Sequence, residues 1–295
     1  MTEIVVISGK GGTGKTSIVA SFSYLAGPKA VLADCDVDAA DLHLLMQPDF
    51  NKGEDFYSGK RSKINPDVCN QCGRCVEICR FHAICATNSH YAVEPLDCEG
   101  CGYCSRVCPV NAVIMEDLQV GKWFISTTRL DSIMVHARLG IGTENSGKLV
   151  AQVKKEAKRI AEELNRDFVL VDGSPGIGCP VISSLAGSDF AVLITEPTLS
   201  GLHDLKRIIE LVNQFHIPAG CIINKCDLNP QLSSEIEYLL NRRNISHIAN
   251  ISFDNVFTRA MVNGQTVFEI AHTNVQDILI ESWKKIKRIT KQKGK

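Results

Sequence analysis

Two groups of residues in this sequence have the types and spacing to do chemistry. Cys69, Cys72, Cys75 and Cys79 make C-x2-C-x2-C-x3-C, and Cys98, Cys101, Cys104 and Cys108 repeat that spacing, with Pro109 after the last. Spacings this short let three thiolates wrap one face of an iron–sulfur cubane, and in two-cluster ferredoxins the fourth cysteine of each run ligates the other cluster. The pattern predicts one [4Fe–4S] cluster on Cys69, Cys72, Cys75 and Cys108, and a second on Cys98, Cys101, Cys104 and Cys79. Zinc is the alternative, but structural zinc sites combine separated C-x2-C pairs rather than consecutive four-cysteine runs. Gly73 and Gly102 each follow a second cysteine and fit a close approach of backbone to sulfide. Arg80 stands where proline is usual; its guanidinium either favours the more negative reduced cluster or is simply solvated.

The second group begins at Ser8. Gly9 to Thr16 read G-x-x-x-x-G-K-[ST], directly after the apolar run Ile4–Ile7. A loop of this kind (Gly9, Lys10, Gly11, Gly12, Thr13, Gly14) turns backbone N–H groups toward phosphate oxygens. Lys15 supplies a charge for the β- and γ-phosphates, Thr16 a hydroxyl for Mg²⁺, and the helix starting at Lys15 its positive end. Carboxylates follow at two further strand ends. Asp34, Asp36 and Asp38 close the second strand, and Asp172 closes Phe168–Val171 ahead of Gly173-Ser174-Pro175-Gly176. Asp172 occupies a Walker B position, from which a carboxylate reaches Mg²⁺ directly or through water.

With Lys10 beside Gly9, the loop KGGTGKT resembles the deviant Walker A family of MinD, ParA, arsenical-pump and nitrogenase iron-protein ATPases. The resemblance implies that Lys10 reaches across a nucleotide-sandwich dimer to the partner's phosphates, so that ATP promotes dimerisation. It also picks out Asp36 as the residue orienting the attacking water, with Asp34 nearer the metal. Family members place a base-recognition loop where this chain has Asn224-Lys225-Cys226-Asp227, which implies that Asn224 meets the adenine edge. N-K-x-D also occurs in GTPases, where the aspartate selects guanine, so Asp227 stays open between the two bases. Relatives commonly carry Ile-Pro-Phe/Tyr-Asp near the base, whereas this chain has Ile251-Ser252-Phe253-Asp254. Cys179 lies seven residues after Asp172, the offset of a dimer-bridging cluster ligand in the nitrogenase iron protein. Its readings are a shared metal or cluster ligand and a small packed residue.

These residues need a scaffold. Short β-branched runs at Ile4–Ile7, Ala30–Ala33, Phe168–Val171, Phe190–Ile194, Cys221–Ile223 and Ile245–Ile248 alternate with helical periodicity at Lys15–Leu25, Lys148–Leu164, Leu202–Phe215 and Ser233–Arg242. Such alternation predicts an α/β P-loop NTPase fold, a mainly parallel sheet with helices on both faces. The rhythm breaks from about Gly59 to Leu118. This predicts a small α+β bacterial-ferredoxin-like domain at 59–118 inserted into an ATPase domain made of 1–58 and 119–295. Val275–Ile289 reads as an amphipathic surface helix. Glu144–Lys148 reads as a capped helix start or a second anion-binding turn.

Composition narrows the remaining choices. Lys and Arg total 32 against 33 Asp and Glu, so no global field points to nucleic acid. No apolar stretch approaches the length of a membrane span, and no export signal is visible, which predicts a cytoplasmic protein without stable membrane insertion. Thirteen cysteines in that setting read as metal ligands rather than disulfides.

The resemblance implies a Mg²⁺-dependent ATPase whose nucleotide-dependent dimer, homodimer or heterodimer with a paralogue, couples to electron transfer or to metal or cluster delivery to a client protein. The alternative is a MinD/ParA-like positioning or scaffold ATPase with structural or redox-sensing clusters. ATP-dependent amidation is a third reading, without a visible glutaminase-like segment.

Overall fold

Central strands of a sheet covered on both faces read as unbroken apolar runs, and six of the seven residues of β1 (Thr2–Ser8) are buried. The computed structural model describes residues 1–87, 90–140 and 146–292. In chain order β1 is followed by α1 (Lys15–Ala26), β2 (Ala30–Asp34), α2 (Leu42–Met46) and β3 (Lys52–Ile64). Next come α3 (Arg74–Ile78), β4 (Ile84–Ala86), β5 (Tyr91–Val93) and α4 (Tyr103–Val107). β6 (Val113–Thr127) and β7 (Ile133–Leu139) lead to α5 (Ser146–Glu163), β8 (Phe168–Pro175), α6 (Cys179–Leu185), β9 (Phe190–Thr195) and α7 (Leu199–Gln214). The remainder is β10 (Ala219–Asn224), α8 (Pro230–Arg242), β11 (Ser246–Ile251), α9 (Val256–Val262) and α10 (Asn274–Gln292).

The large sheet runs β11-β10-β9-β1-β8-β2-β7-β6-β3. Every pairing from β11 to β7 is parallel, so the predicted α/β fold is the one observed. Parallel register brings the strands' carboxyl ends together, which is where such sheets bind ligands. Asp172 pairs with Val6 of β1 on one side and with Asp34 of β2 on the other. Strand pairing alone therefore sets both carboxylates beside the loop that leaves β1.

The chain divides into two compact units, 1–54 with 122–139 and 146 onward, and 55–121 with Gly140; the divisions fall within β3 and β6. In the first unit Phe22, Leu32, Leu170 and Phe190 fill one side of the core. α10 is the amphipathic surface helix expected, one stripe buried and the polar face exposed. Its Leu279, Trp283 and Ile286 are buried, and Trp283 stacks on Phe22 at 5.4 Å and meets Phe168 edge-on at 5.1 Å. Amphipathic periodicity reports such a buried stripe and not what covers it.

In the second unit β4 and β5 form an antiparallel hairpin, Ile84 opposite Val93. Its core consists of Ile64, Cys75, Ile84, Cys104 and Val113, with Cys69, Cys79 and Cys108 packed against it. A hydrocarbon core this small does not ordinarily carry a fold by itself, so the thiols stand where further stabilisation is needed.

Candidate nucleotide site and cysteine cavities

The loop after β1 and the segment after β11 wall an open cleft. Gly11 to Ser17 line one side, with Asp36 and Pro175 nearby. Phe253, Phe257, Met261 and Val262 face them, an apolar wall that does not depend on the proline missing before Phe253. Gly14 has φ +91, and a Cβ there would meet Asn224 Nδ2 at 2.5 Å. No other residue fits that turn as it stands.

Lys15 is the charge at the centre. Its Nζ donates to Asp172 Oδ1 at 2.6 Å and to Asp36 Oδ2 at 3.3 Å. Burial works to lower the pKa of Lys15, yet the charges of Asp172 and Asp36 hold it above the ordinary lysine value. Burial, with the neighbouring charge of Asp172, pushes the carboxyls of Asp34 and Asp36 up, and Lys15 opposes the rise. Three buried carboxylates thus share one ammonium.

That imbalance fits a divalent cation. Asp34 Oδ1 accepts from the N–H of Asp36 at 3.2 Å, while Asp34 Oδ2 and Asp172 Oδ2 are buried acceptors without a donor among the described residues. Buried acceptors of this kind need a partner. Thr16 lines the same cleft. Thr16, Asp34 and Asp172 would hold Mg²⁺, and hard oxygen donors are the ligands Mg²⁺ takes.

Lys10 is turned onto its own chain. Its Nζ lies 2.6 Å from Glu196 Oε1 and within hydrogen-bond reach of Thr198 Oγ1 (3.2 Å) and Ser200 Oγ (3.1 Å). Lys225 Nζ binds the other oxygen of Glu196 at 3.0 Å and the carbonyl of Gly12 at 3.2 Å. Partial burial would raise the pKa of Glu196, but the hydrogen bonds from Lys10 and Lys225 hold it below the ordinary value. Glu196 went unread in the sequence, although a carboxylate just past the end of β9 was the available signal.

Asn224, the expected adenine-edge residue, lines the same cleft. It is buried; its Nδ2 donates to the carbonyl of Thr13 at 2.8 Å and its Oδ1 accepts from the N–H of Lys225 at 2.9 Å. The amide braces the phosphate loop. Asp227 Oδ1 accepts from the N–H of Phe253 at 2.6 Å, which fixes the start of the apolar wall. Cys179 is exposed at the start of α6, whereas Cys35 and Cys221 are buried, their thiols pushed up by burial. Residues 144 and 145 of the expected anion-binding turn lie outside the described residues.

The eight regularly spaced cysteines separate into two sets. Cys69, Cys72, Cys75 and Cys108 line one small cavity. Cys79, Cys98, Cys101 and Cys104 line another. The fourth cysteine of each run has crossed to the other set. Among the described residues no three His, Cys, Asp or Glu side chains converge as a single-ion site does. A cubane asks for something else, one thiolate on each of four separate irons, so its ligands stand apart around a cavity.

The two halves repeat at a constant offset of 29 residues from Cys69/Cys98 to Cys79/Cys108. Left-handed residues match in pairs at that offset: Gln71 and Gly100, Gly73 and Gly102, His82 and Asn111. So do the five-residue helices α3 and α4. The N–H of Ala112 donates to Cys108 Sγ at 3.2 Å, and Ser62 Oγ shares a hydrogen bond with Cys104 Sγ at 3.0 Å in which either atom can donate. Slight burial would raise the Cys108 thiol, but backbone N–H groups from Val110 to Val113 hold it below the ordinary value. Ser62 lies on β3, 42 residues before the Cys104 it meets. Nothing in the spacing announced it.

A model of the CobQ/CobB/MinD/ParA nucleotide binding domain matches residues 4–267. The chain belongs to that family. Among its relatives, MJ0578 of Methanocaldococcus jannaschii is 34% identical over 77% of this chain and 79% of its own. MJ0579 of the same organism is 28% identical over 76% of this chain and 80% of its own. The fold is similar to that of the septum site-determining protein MinD of Pyrococcus horikoshii, solved with Mg-ADP, with TM-score 0.60, 18% identity, and 98% of this chain and 97% of that one covered. This MinD/ParA-type nucleotide-binding ATPase carries its glycine-rich loop after β1, Asp34 at the end of β2 and Asp172 in β8.

Proposed function

We propose that this family member is an ATP-hydrolysing iron–sulfur protein in which a nucleotide-dependent dimer gates electron transfer, or metal or cluster delivery, to a partner protein. The observation that carries this reading is the four-and-four division of the cysteines around two cavities. In the proposed organisation 59–118 is a ferredoxin-like domain holding two [4Fe–4S] clusters, inserted into an ATPase domain of 1–58 and 119–295. Such clusters supply one-electron chemistry at tunable potential.

The residues then take these parts. Backbone N–H groups of the loop Gly9–Gly14 bind phosphate, and Lys15 exchanges Asp172 and Asp36 for phosphate oxygens. Thr16, Asp34 and Asp172 hold Mg²⁺. Asp36, released by Lys15, orients the attacking water; Lys10, released by Glu196, reaches the partner's nucleotide. Asn224 keeps the phosphate loop in shape, and Phe253 with Asp227 forms the base wall. The dimer joins two copies of this chain or this chain and a paralogue, in keeping with two relatives in one organism.

EPR of the reduced, cluster-loaded protein with and without ATP, in the presence of an electron acceptor, tests the coupling. Acceptor reduction that requires ATP supports it. ATP turnover indifferent to cluster oxidation state supports instead the second reading, a MinD/ParA-like positioning or scaffold ATPase, which the likeness to a MinD fold favours. In that reading α10 is not the membrane contact, because its apolar residues are in the core.

A further inference from the structure

We propose that the Cys98 end of the cysteine-rich unit is a docking face for a protein partner whose contact surface is basic around an apolar centre. The proposal rests on the reading above in taking that partner to be the electron or cluster client. It comes from comparing the two halves of the repeat.

Four large apolar side chains stand exposed about the cavity of Cys79, Cys98, Cys101 and Cys104 or on the loop entering it: Ile78 (38%), Phe81 (46%), Leu96 (81%) and Tyr103 (51%). Their counterparts at the 29-residue offset are Val107, Val110, Asp67 and Arg74. The two valines are only half-exposed, and the other two positions are charged. Burying a cluster needs no such asymmetry, since both cavities are lined by the same number of thiols. The other end exposes Val68 (45%); four such side chains about one cavity are the ordinary mark of an interaction site.

Charge breaks the repeat in the same direction. Glu77, Glu94, Asp97 and Glu99 are exposed at this end, and their counterparts are Arg106, Asn65, Val68 and Asn70. None of the four carboxylates is in an ion pair among the described residues. Two cations stand near them: Arg80, next to Cys79, and Lys60, whose backbone lies against Gly100 and whose ammonium is paired with Asp117. An apolar centre with an acidic rim steers and registers a basic partner. A second copy of the same face would set these carboxylates against one another, which argues against self-association here.

Cytochrome c, a lysine-ringed redox protein, serves as the probe. Its affinity for the full-length, cluster-loaded protein is measured by calorimetry at low and moderate salt. Glu94→Gln with Asp97→Asn removes two negative charges at this end, and Asn65→Lys with Val68→Lys makes the same change in net charge at the counterpart positions. The first pair is expected to weaken binding about tenfold and flatten its salt dependence, and the second to change it less than about twofold. Phe81→Ser with Leu96→Ser should weaken the binding that persists at moderate salt. Equal effects at both ends, or none at this one, overturn the proposal, as does a nucleotide-independent dimer in sedimentation that the Phe81/Leu96 change abolishes. Iron and acid-labile sulfide are assayed separately for every variant. Their absence with binding still dependent on this face would fail the cluster reading and leave the docking face standing.

Discussion

Lys10 and Glu196 form an ion pair of 2.6 Å within one chain. Under the proposed mechanism this pair competes with the reach of Lys10 to a second nucleotide. Glu196→Gln, which keeps size and loses charge, is expected to shift ATP-dependent dimerisation to lower ATP concentration in light-scattering titrations. Lys10→Ala is expected to lower phosphate release about a hundredfold while leaving ADP affinity within about threefold, since the lost contact is made only in the assembled state. Unchanged turnover in Lys10→Ala would remove Lys10 from the mechanism.

The orphaned oxygens Asp34 Oδ2 and Asp172 Oδ2 make the cation site testable. Asp172→Asn should weaken ADP binding about tenfold in Mg²⁺ and leave it nearly unchanged in EDTA. Calorimetry in the two buffers separates these outcomes. Asp36→Ala, with Mg²⁺ kept, should bind ATP, fail to hydrolyse it and elute as a dimer; a monomer on sizing would contradict the assigned role.

Because Cys108 lines the cavity of the first run and Cys79 that of the second, single substitutions act crosswise. Cys108→Ser should perturb the EPR signal that Cys69→Ser also perturbs, and Cys79→Ser the one shared with Cys98→Ser. Signals that instead group by run would overturn the crossed assignment.

Arg129 holds Glu269 in a two-pronged pair, with Nη2 2.6 Å from Oε2, and its Nε donates to the carbonyl of Leu45 at 2.8 Å. The hydrogen bond from Arg129 brings the Glu269 carboxyl down to about 2, below its ordinary 4.5. A carboxylate whose folded-state pKa is depressed adds stability above its unfolded value, and that stability is lost as pH falls through the folded one. The Tm difference between wild type and Glu269→Gln should therefore be full above pH 4.5 and shrink toward about 2. A gap that does not change with pH would mean that the pair contributes only through packing.

The parallel sheet and the phosphate loop were legible because both are written in local pattern, β-branched runs of strand length and glycines before a lysine. Asp34 and Asp172 were found because each ends such a run. What was not legible depends on contacts between distant residues. Glu196 lies 186 residues from Lys10 and Ser62 lies 42 from Cys104, and neither pairing leaves a period or a spacing. The contact of the Asn224 amide with the carbonyl of Thr13 was likewise invisible in the sequence, since a strand-end amide can face a base or a neighbouring loop. The same holds for α10, whose buried stripe was visible but not its cover.

The central claim, two [4Fe–4S] clusters in a MinD/ParA-type ATPase, is tested most directly by metal and sulfide analysis of anaerobically purified protein together with EPR after dithionite reduction. The account predicts about eight irons and eight acid-labile sulfides per chain and two interacting S = 1/2 signals. Stoichiometric zinc without labile sulfide, and no signal on reduction, would contradict it.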